Sequence, residues 1–214
     1  MTTLQEIAGT LERGEAEPLA GLVRRALDEG IPARTILDDG LIAGMAAVGE
    51  KFKCHEIFLP DVLMAAKAMY AGMDVLKPLL AAEGAPERGR VAIGSVQGDL
   101  HDIGKNLVGI MLRGAGFEVI DLGNDVPPER FAEAVEKEGA TVIGMSALLT
   151  TTMASMSKTV SLLEERGLRG KARVVVGGAP VSEEFAQSIG ADAYAFDAAS
   201  AVDRVKLLIE GDGA

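Results

Sequence analysis

Three short runs carry side chains with chemistry to offer. The first is Gly98-Asp99-Leu100-His101-Asp102-Ile103-Gly104, where a histidine stands two residues after an aspartate on a glycine-flanked stretch. An imidazole that ligates a metal commonly passes its other ring N–H to a carboxylate, which fixes the tautomer and raises the basicity of the ligand. Asp99 is a candidate for that role beside His101; the same triplet also reads as a capping aspartate next to a solvated histidine. The second run, Ser146-Ala147-Leu148-Leu149-Thr150-Thr151-Thr152, is rich in hydroxyls. The third, Gly177-Gly178-Ala179-Pro180, offers paired glycines that would let a flat ligand lie against bare backbone. Taken singly, the hydroxyls could cap helices and the glycines could form a turn. Neither G-x-G-x-x-G nor G-x-x-x-x-G-K-[ST] occurs, so dinucleotide and P-loop readings lose their main support. Cys54 and His55 adjoin, but without further ligands they fall short of the usual four and read as an incidental surface pair.

The elements that must position these runs follow from periodicity. From Arg90 onward, short Val/Ile-rich segments at 91–95, 117–121, 141–145, 173–176 and 193–196 alternate with amphipathic stretches. Those stretches begin near Ile103 and continue at 130–138, 153–166, 183–189 and 198–209. Such alternation predicts a parallel sheet covered on both faces, here a flavodoxin-like (Rossmann-like), doubly wound, five-stranded domain. Each of the three runs then sits at the carboxyl end of a strand, where sheets of this class bind ligands.

Before about residue 82 the grammar is helical. Leu4, Ile7, Ala8 and Leu11 form one stripe, and Leu19, Leu22, Val23, Ala26 and Leu27 a second. A third helix, with Pro32 in its first turn, carries Ile36, Leu37, Leu41, Met45 and Val48; a fourth follows Pro60 with Val62, Leu63, Ala66, Met69, Met73 and Leu76 inward. The chain is thus an α/β protein with an N-terminal four-helix bundle over 1–84, a linker over 85–89 and the sheet domain over 90–214. A charge sum of −11 argues against nucleic acid or an anionic membrane as partner. One cysteine rules out an internal disulfide, and residues 1–15 lack the pattern of a signal peptide, so a reduced cytoplasmic protein is expected.

D-x-H-x-x-G, then S-x-L, then G-G on successive strands resembles the cobalamin-binding signature of methionine synthase, the mutases and the corrinoid proteins of methyltransferase systems. Val48-Gly49-Glu50-Lys51-Phe52 and Phe58-Leu59-Pro60 are similar to the helical cap of methionine synthase and of the methanol and methylamine corrinoid proteins. The resemblance covers most of the chain.

It implies the following roles. His101 replaces the corrin's own base as lower cobalt ligand, with Asp99 and Thr152 completing a hydrogen-bonded relay. The loop residues Gly98, Leu100, Asp102, Ile103 and Gly104, with Leu148, contact the cofactor, and Ser146 and Thr150 line the displaced nucleotide tail. Gly177 and Gly178 flank the buried base, and Ala198 closes the far end of its cavity. Phe52 and Leu59 cover the upper, methyl-bearing face, and Asp38 contacts the cofactor from the cap. The function implied is a methyl carrier that cycles between cob(I)alamin and methylcob(III)alamin. It would serve a substrate-specific methyltransferase and a second, acceptor methyltransferase, with a reductive activase. Competing readings are a cobalamin-dependent sensor, which would need a DNA-binding module, and the cobalamin subunit of an adenosylcobalamin mutase, which would need a barrel too large for this chain.

Overall fold

A computed structural model describes residues 2–83 and 89–210. The linker expected over 85–89 therefore falls outside the described residues, apart from Gly89. The chain divides into two compact units, Met1–Glu87 with Gly114–Gly116, and Arg88–Arg113 with Phe117–Ala214.

In the first unit α1 (Thr3–Glu12) opens on a capping box, in which the Thr2 hydroxyl accepts from the Gln5 amide while the Gln5 side chain accepts from the Thr2 amide. α2 (Ala16–Asp28) follows. α3 (Ala33–Thr35) has Pro32 as its N-cap and runs on through a π-helical segment, Ile36–Ile42, into α4 (Ala43–Lys53). α5 (Leu59–Glu83) packs mainly on α2. Ile7, Leu11, Leu19, Val23, Ile36, Leu41 and Leu76 are fully buried, each contributing roughly 1.5–3 kcal/mol of transfer free energy. The π segment was not legible from apolar spacing. It lies where α1 comes close: a Cβ on Gly40 would stand 3.0 Å from Ile7 Cγ2, and one on Gly44 2.9 Å from the Ala8 carbonyl oxygen.

Leu63, expected inward, is 46% exposed. The buried stripe of α5 runs through Val62, Ala65, Ala66, Met69 and Leu76. Leu63 shares its face instead with Lys67, Tyr70 and Asp74, three and four residues apart and all exposed.

The second unit alternates β1 (Arg90–Ser95), α6 (Ile103–Gly114), β2 (Glu118–Asp121), α7 (Pro128–Glu138), β3 (Val142–Ser146), α8 (Met153–Glu165), β4 (Arg173–Gly177), α9 (Glu183–Ser188), β5 (Ala193–Ala195) and α10 (Ala198–Glu210). All five strands are parallel in the order β2-β1-β3-β4-β5, the flavodoxin-like order with its switch point between β1 and β3. Ala92, Ile143, Met145, Val174 and Val176 face a closed core with Phe131 of α7 and Met156, Val160 and Leu163 of α8. Because strand side chains alternate, Ile93, Gly144 and Val175 point to the opposite face, under α6 and α10. Among the described residues no helix is long and apolar enough to cross a membrane.

Candidate functional site

Ser95, Ser146, Gly177 and Ala195 stand in register across β1, β3, β4 and β5, forming the carboxyl edge of the sheet. The loop leaving β1 is stitched to this edge, since the Val96 amide donates to the Ser146 carbonyl at 3.0 Å and the Ser95 hydroxyl donates to the His101 carbonyl. Its centre is Asp99, with no solvent exposure. One carboxylate oxygen, Oδ1, accepts from the His101 amide (3.1 Å) and from His101 Nδ1 (2.8 Å). The other, Oδ2, accepts from the Leu148 amide (2.7 Å), the Leu149 amide (3.3 Å) and the Thr152 hydroxyl (2.9 Å).

Burial alone would raise the Asp99 pKa. The hydrogen bonds from the Leu148 amide, the His101 ring and amide and the Thr152 hydroxyl outweigh it and hold the carboxyl well below the usual carboxylate range. An ionised carboxylate only accepts, so the proton of the His101 ring must sit on Nδ1. Nε2 is the ring nitrogen left facing outward, on a side chain that is 52% exposed.

Thr152 occupies the N-cap position of α8 yet makes no cap bond. Its single hydroxyl proton has two acceptors in reach, Asp99 Oδ2 at 2.9 Å and the Leu149 carbonyl at 2.8 Å. A threonine cap stabilises a helix by about 1 kcal/mol, and this one is turned to the carboxylate instead. Around His101 the structure leaves Leu100, Ile103 and Leu148 exposed, an apolar rim on the polar loop. Thr150 is exposed, Ser146 is half-buried at the sheet edge, and the Asp102 carbonyl accepts the Asn106 amide at 2.7 Å to open α6.

Beside this loop, a slot of about 160 Å³ opens between the sheet and helices α6 and α10. Its floor is Ile93, Gly144, Val175 and Gly177; Gly104, Ser146, Gly178 and Ala198 are also in its wall. Small residues leave the space that larger ones fill on the other face. The paired glycines have a more local cause than expected. A Cβ on Gly178, at φ +125°, would stand 1.9 Å from the Ala147 carbonyl oxygen, and one on Gly177 2.7 Å from that of Ala195. The neighbouring backbone demands both glycines before any ligand does.

Asp38, Phe52 and Leu59 lie in the first unit. Asp38 sits in the π segment and pairs with Arg34 at 2.7 Å. Phe52, on the last turn of α4, and Leu59, the first residue of α5, are half-buried, while Phe58 between them is 68% exposed. Cys54 and His55 are exposed, and among the described residues no three His, Cys, Asp or Glu side chains group as a metal site. Sequence reasoning passed over Lys105, which lines the slot and pairs with Asp121 Oδ1 at 2.6 Å, 4% exposed on the lysine side. It also gave no role to Leu149, apolar yet exposed near the same edge. Nothing in the apolar alternation marks a buried lysine on the first turn of a helix.

A single imidazole nitrogen falls short of the three or four protein ligands that hold a bare ion. It suits a metal that arrives with its equatorial positions already filled by a macrocycle. An apolar cavity of about 150 Å³ is enough to take up a benzene ring, so the adjoining slot suits an aromatic appendage. Ring nitrogen and slot together fit a corrinoid with its nucleotide tail.

Comparison with known proteins agrees. Residues 89–206 and residues 3–77 each match a family model described as a B12 binding domain. The chain is 45% identical to the dimethylamine corrinoid protein of Methanosarcina barkeri over 208 residues, 96% of this chain and 97% of that one. It is similar in structure to the methanol:cobalamin methyltransferase complex MtaBC of Methanosarcina barkeri (TM-score 0.86, 33% identity, 98% of this chain and 80% of that one). It also resembles a cobalamin-binding protein of Desulfitobacterium hafniense (TM-score 0.79, 34% identity, 95% and 97% covered). Two B12-binding models, one on each unit, and identity along almost the whole length lead to one conclusion: the chain belongs to the corrinoid proteins of methyltransferase systems.

Proposed function

We propose that this protein carries a methyl group on cobalamin bound base-off, with His101 as the lower axial ligand and the displaced nucleotide base in the slot under α6 and α10. The observation that carries the reading is the 2.8 Å contact between His101 Nδ1 and Asp99 Oδ1, which leaves Nε2 as the free nitrogen. When bound, the cobalt supplies the methyl-accepting and methyl-donating chemistry. The chain's own residues hold and tune it. Asp99, kept ionised by its donors, fixes the His101 tautomer and strengthens Nε2 as a ligand. The Thr152 hydroxyl, with a carboxylate and a carbonyl both in reach, offers the pair a proton donor that can turn away. Leu100, Ile103 and Leu148 give a macrocycle an apolar seat, while Gly104, Ser146, Thr150, Gly177, Gly178 and Ala198 border its tail.

In this reading residues 1–84 act as a cap, in which Phe52 and Leu59 shield the methyl-bearing face and Asp38 contacts the cofactor. The cap must yield when a methyltransferase engages that face. Two methyltransferases, one specific for the substrate and one for the acceptor, and a reductive activase are the partners, in a reduced cytoplasm. The MtaBC relative, named for a methanol:cobalamin methyltransferase complex, supports a methyltransferase partner.

Electron paramagnetic resonance of the protein loaded with cob(II)alamin tests the ligation. One axial nitrogen, whose splitting changes on ¹⁵N-histidine labelling and which disappears in His101→Ala, is expected. The same histidine signal in His101→Ala overturns the assignment.

A further inference from the structure

The loop after β2 grips the histidine-bearing loop from outside. Asp125 Oδ1 accepts the Gly98 amide proton at 2.7 Å, and the Asp125 amide donates to the Asp99 carbonyl at 2.9 Å. One residue thus closes on both sides of the Gly98–Asp99 peptide. Its neighbour Asn124 donates from Nδ2 to the Leu100 carbonyl at 3.2 Å. Three consecutive residues ahead of His101 are therefore held by two residues of another loop. That second loop is itself anchored on β1, since the Ser95 amide donates to the Gly123 carbonyl and the Val126 amide to the Ser95 carbonyl, both at 3.0 Å.

The grip needs left-handed backbone on each side, costly at Asp125 and freely adopted by Gly98. Asp125 stands at φ +51°, a left-handed conformation uncommon outside glycine, though Asp and Asn tolerate it best. Gly98 stands at φ +87°. An observed backbone outlier of this kind, over-determined by its hydrogen bonds, is a pointer to function.

We infer that Asp125, assisted by Asn124, is a positioning residue for axial ligation, fixing the Gly98–Leu100 backbone so that the His101 ring meets Asp99 and presents Nε2. The inference rests on the reading of His101 as the cobalt ligand. Asp99 is already tied through its side chain to Leu148, Leu149 and Thr152. Those bonds, with the one from the His101 amide to Asp99 Oδ1, hold the carboxylate and the peptide entering His101. The clasp at Gly98 and Asp99, with Asn124 on the Leu100 carbonyl, sets the peptide planes just ahead of it.

Two variants separate the hydrogen bond from the conformation. Asp125→Gly keeps φ > 0 accessible and retains the backbone donor but deletes the acceptor; Asp125→Asn keeps an acceptor oxygen and the tolerance for this conformation. In the cofactor-free protein, exchange of the Gly98 amide should be at least about tenfold faster in Asp125→Gly, as for loss of one charge-assisted hydrogen bond. In the protein loaded with cob(II)alamin, the ratio of histidine-on to histidine-off signal should fall by a similar factor. Asp125→Asn should restore both to within about twofold. A full histidine-on signal in Asp125→Gly, with or without faster exchange at Gly98, overturns the positioning role, as does failure of Asp125→Asn to restore the ratio. Wild-type protein that shows no axial histidine at all overturns the ligation reading instead, and this inference with it.

Discussion

The two faces of the parallel sheet are built from the same strands and do opposite things. Toward α7 and α8, alternate residues are large and the space is closed: Phe131, Met156 and Leu163 are fully buried, and a Cβ on Gly94 would strike Val126 and Phe131. Toward α6 and α10, the intervening residues are Gly144, Ser146, Gly177 and Ala195, and the slot remains. Strand periodicity lets one short segment serve packing and binding independently, because a substitution on one face leaves the other unchanged. Stability and ligand affinity should therefore separate by face.

The largest effect is expected on the closed face. Phe131→Ala should lower unfolding free energy by about 3–5 kcal/mol, the usual range for a buried aromatic truncated to alanine, measured by urea denaturation. It should leave the preference for cobalamin over cobinamide, which lacks the nucleotide tail, unchanged. Altered discrimination in a folded Phe131→Ala would break the division between faces.

The counterpart on the open face is Gly104→Leu. Gly104 stands in the slot wall, and a Cβ there would meet no atom within 4 Å, so a side chain can be added without a clash at its root. Cobalamin affinity should drop at least about tenfold, an effect of roughly 1.4 kcal/mol, while cobinamide affinity is retained. Equal loss of both ligands would show that the slot does not hold the tail.

Between the faces lies Asp99. Replacing it with Asn turns one acceptor into a donor facing the donors of Leu148, Leu149 and Thr152, which should cost about 1–3 kcal/mol in the cofactor-free protein. Folding lowers the Asp99 pKa. Its stabilisation is therefore present above the unfolded value of about 3.9 and is lost as pH falls toward the folded value. The gap between wild type and Asp99→Asn should be constant from about pH 7 to pH 5 and close below about pH 4. A gap that widens on acidification contradicts the lowered pKa.

The smallest effect sharpens the same centre. Thr152→Ser keeps the hydroxyl and should change stability by less than about 0.5 kcal/mol, while Thr152→Ala should cost about 1 kcal/mol. Equal melting temperatures for the two variants would mean that the hydroxyl does not support Asp99.

Much of this architecture was legible before any coordinates. Every strand falls within one residue of its expected bounds, because short Val/Ile-rich runs and the glycines that punctuate them are local properties of the chain. Asp99 and His101 were legible as a pair because they are two residues apart in sequence, and the hydroxyl of Thr152 was reached through the family pattern. What remained hidden depends on residues meeting from afar. Asp125 has no local signature, since its role lies in a φ value and in a partner on another loop. Lys105 reads as a helix-surface lysine until its ion pair with Asp121 places it inside. Leu63 was assigned inward because an apolar residue beside Val62 fits two adjacent phases of a helix, and only packing against α2 chooses between them. The paired glycines were legible by composition, but their approach to the Ala147 and Ala195 carbonyls, made by other strands and loops, was not.

The π-helical segment at Ile36–Ile42 makes the helix running from residue 33 to residue 53 a shaft with a rotational offset built into it. An α-helix turns about 100° per residue, and a π turn absorbs one additional residue. Removing Gly40 and letting the segment revert to uniform α geometry would swing every later position by about that angle. Met45, Val48 and Phe52, all beyond the segment, would turn together away from their present bearing relative to residues 33–39, so the helix's phase, as much as the identity of its aromatic residue, determines which way that ring looks.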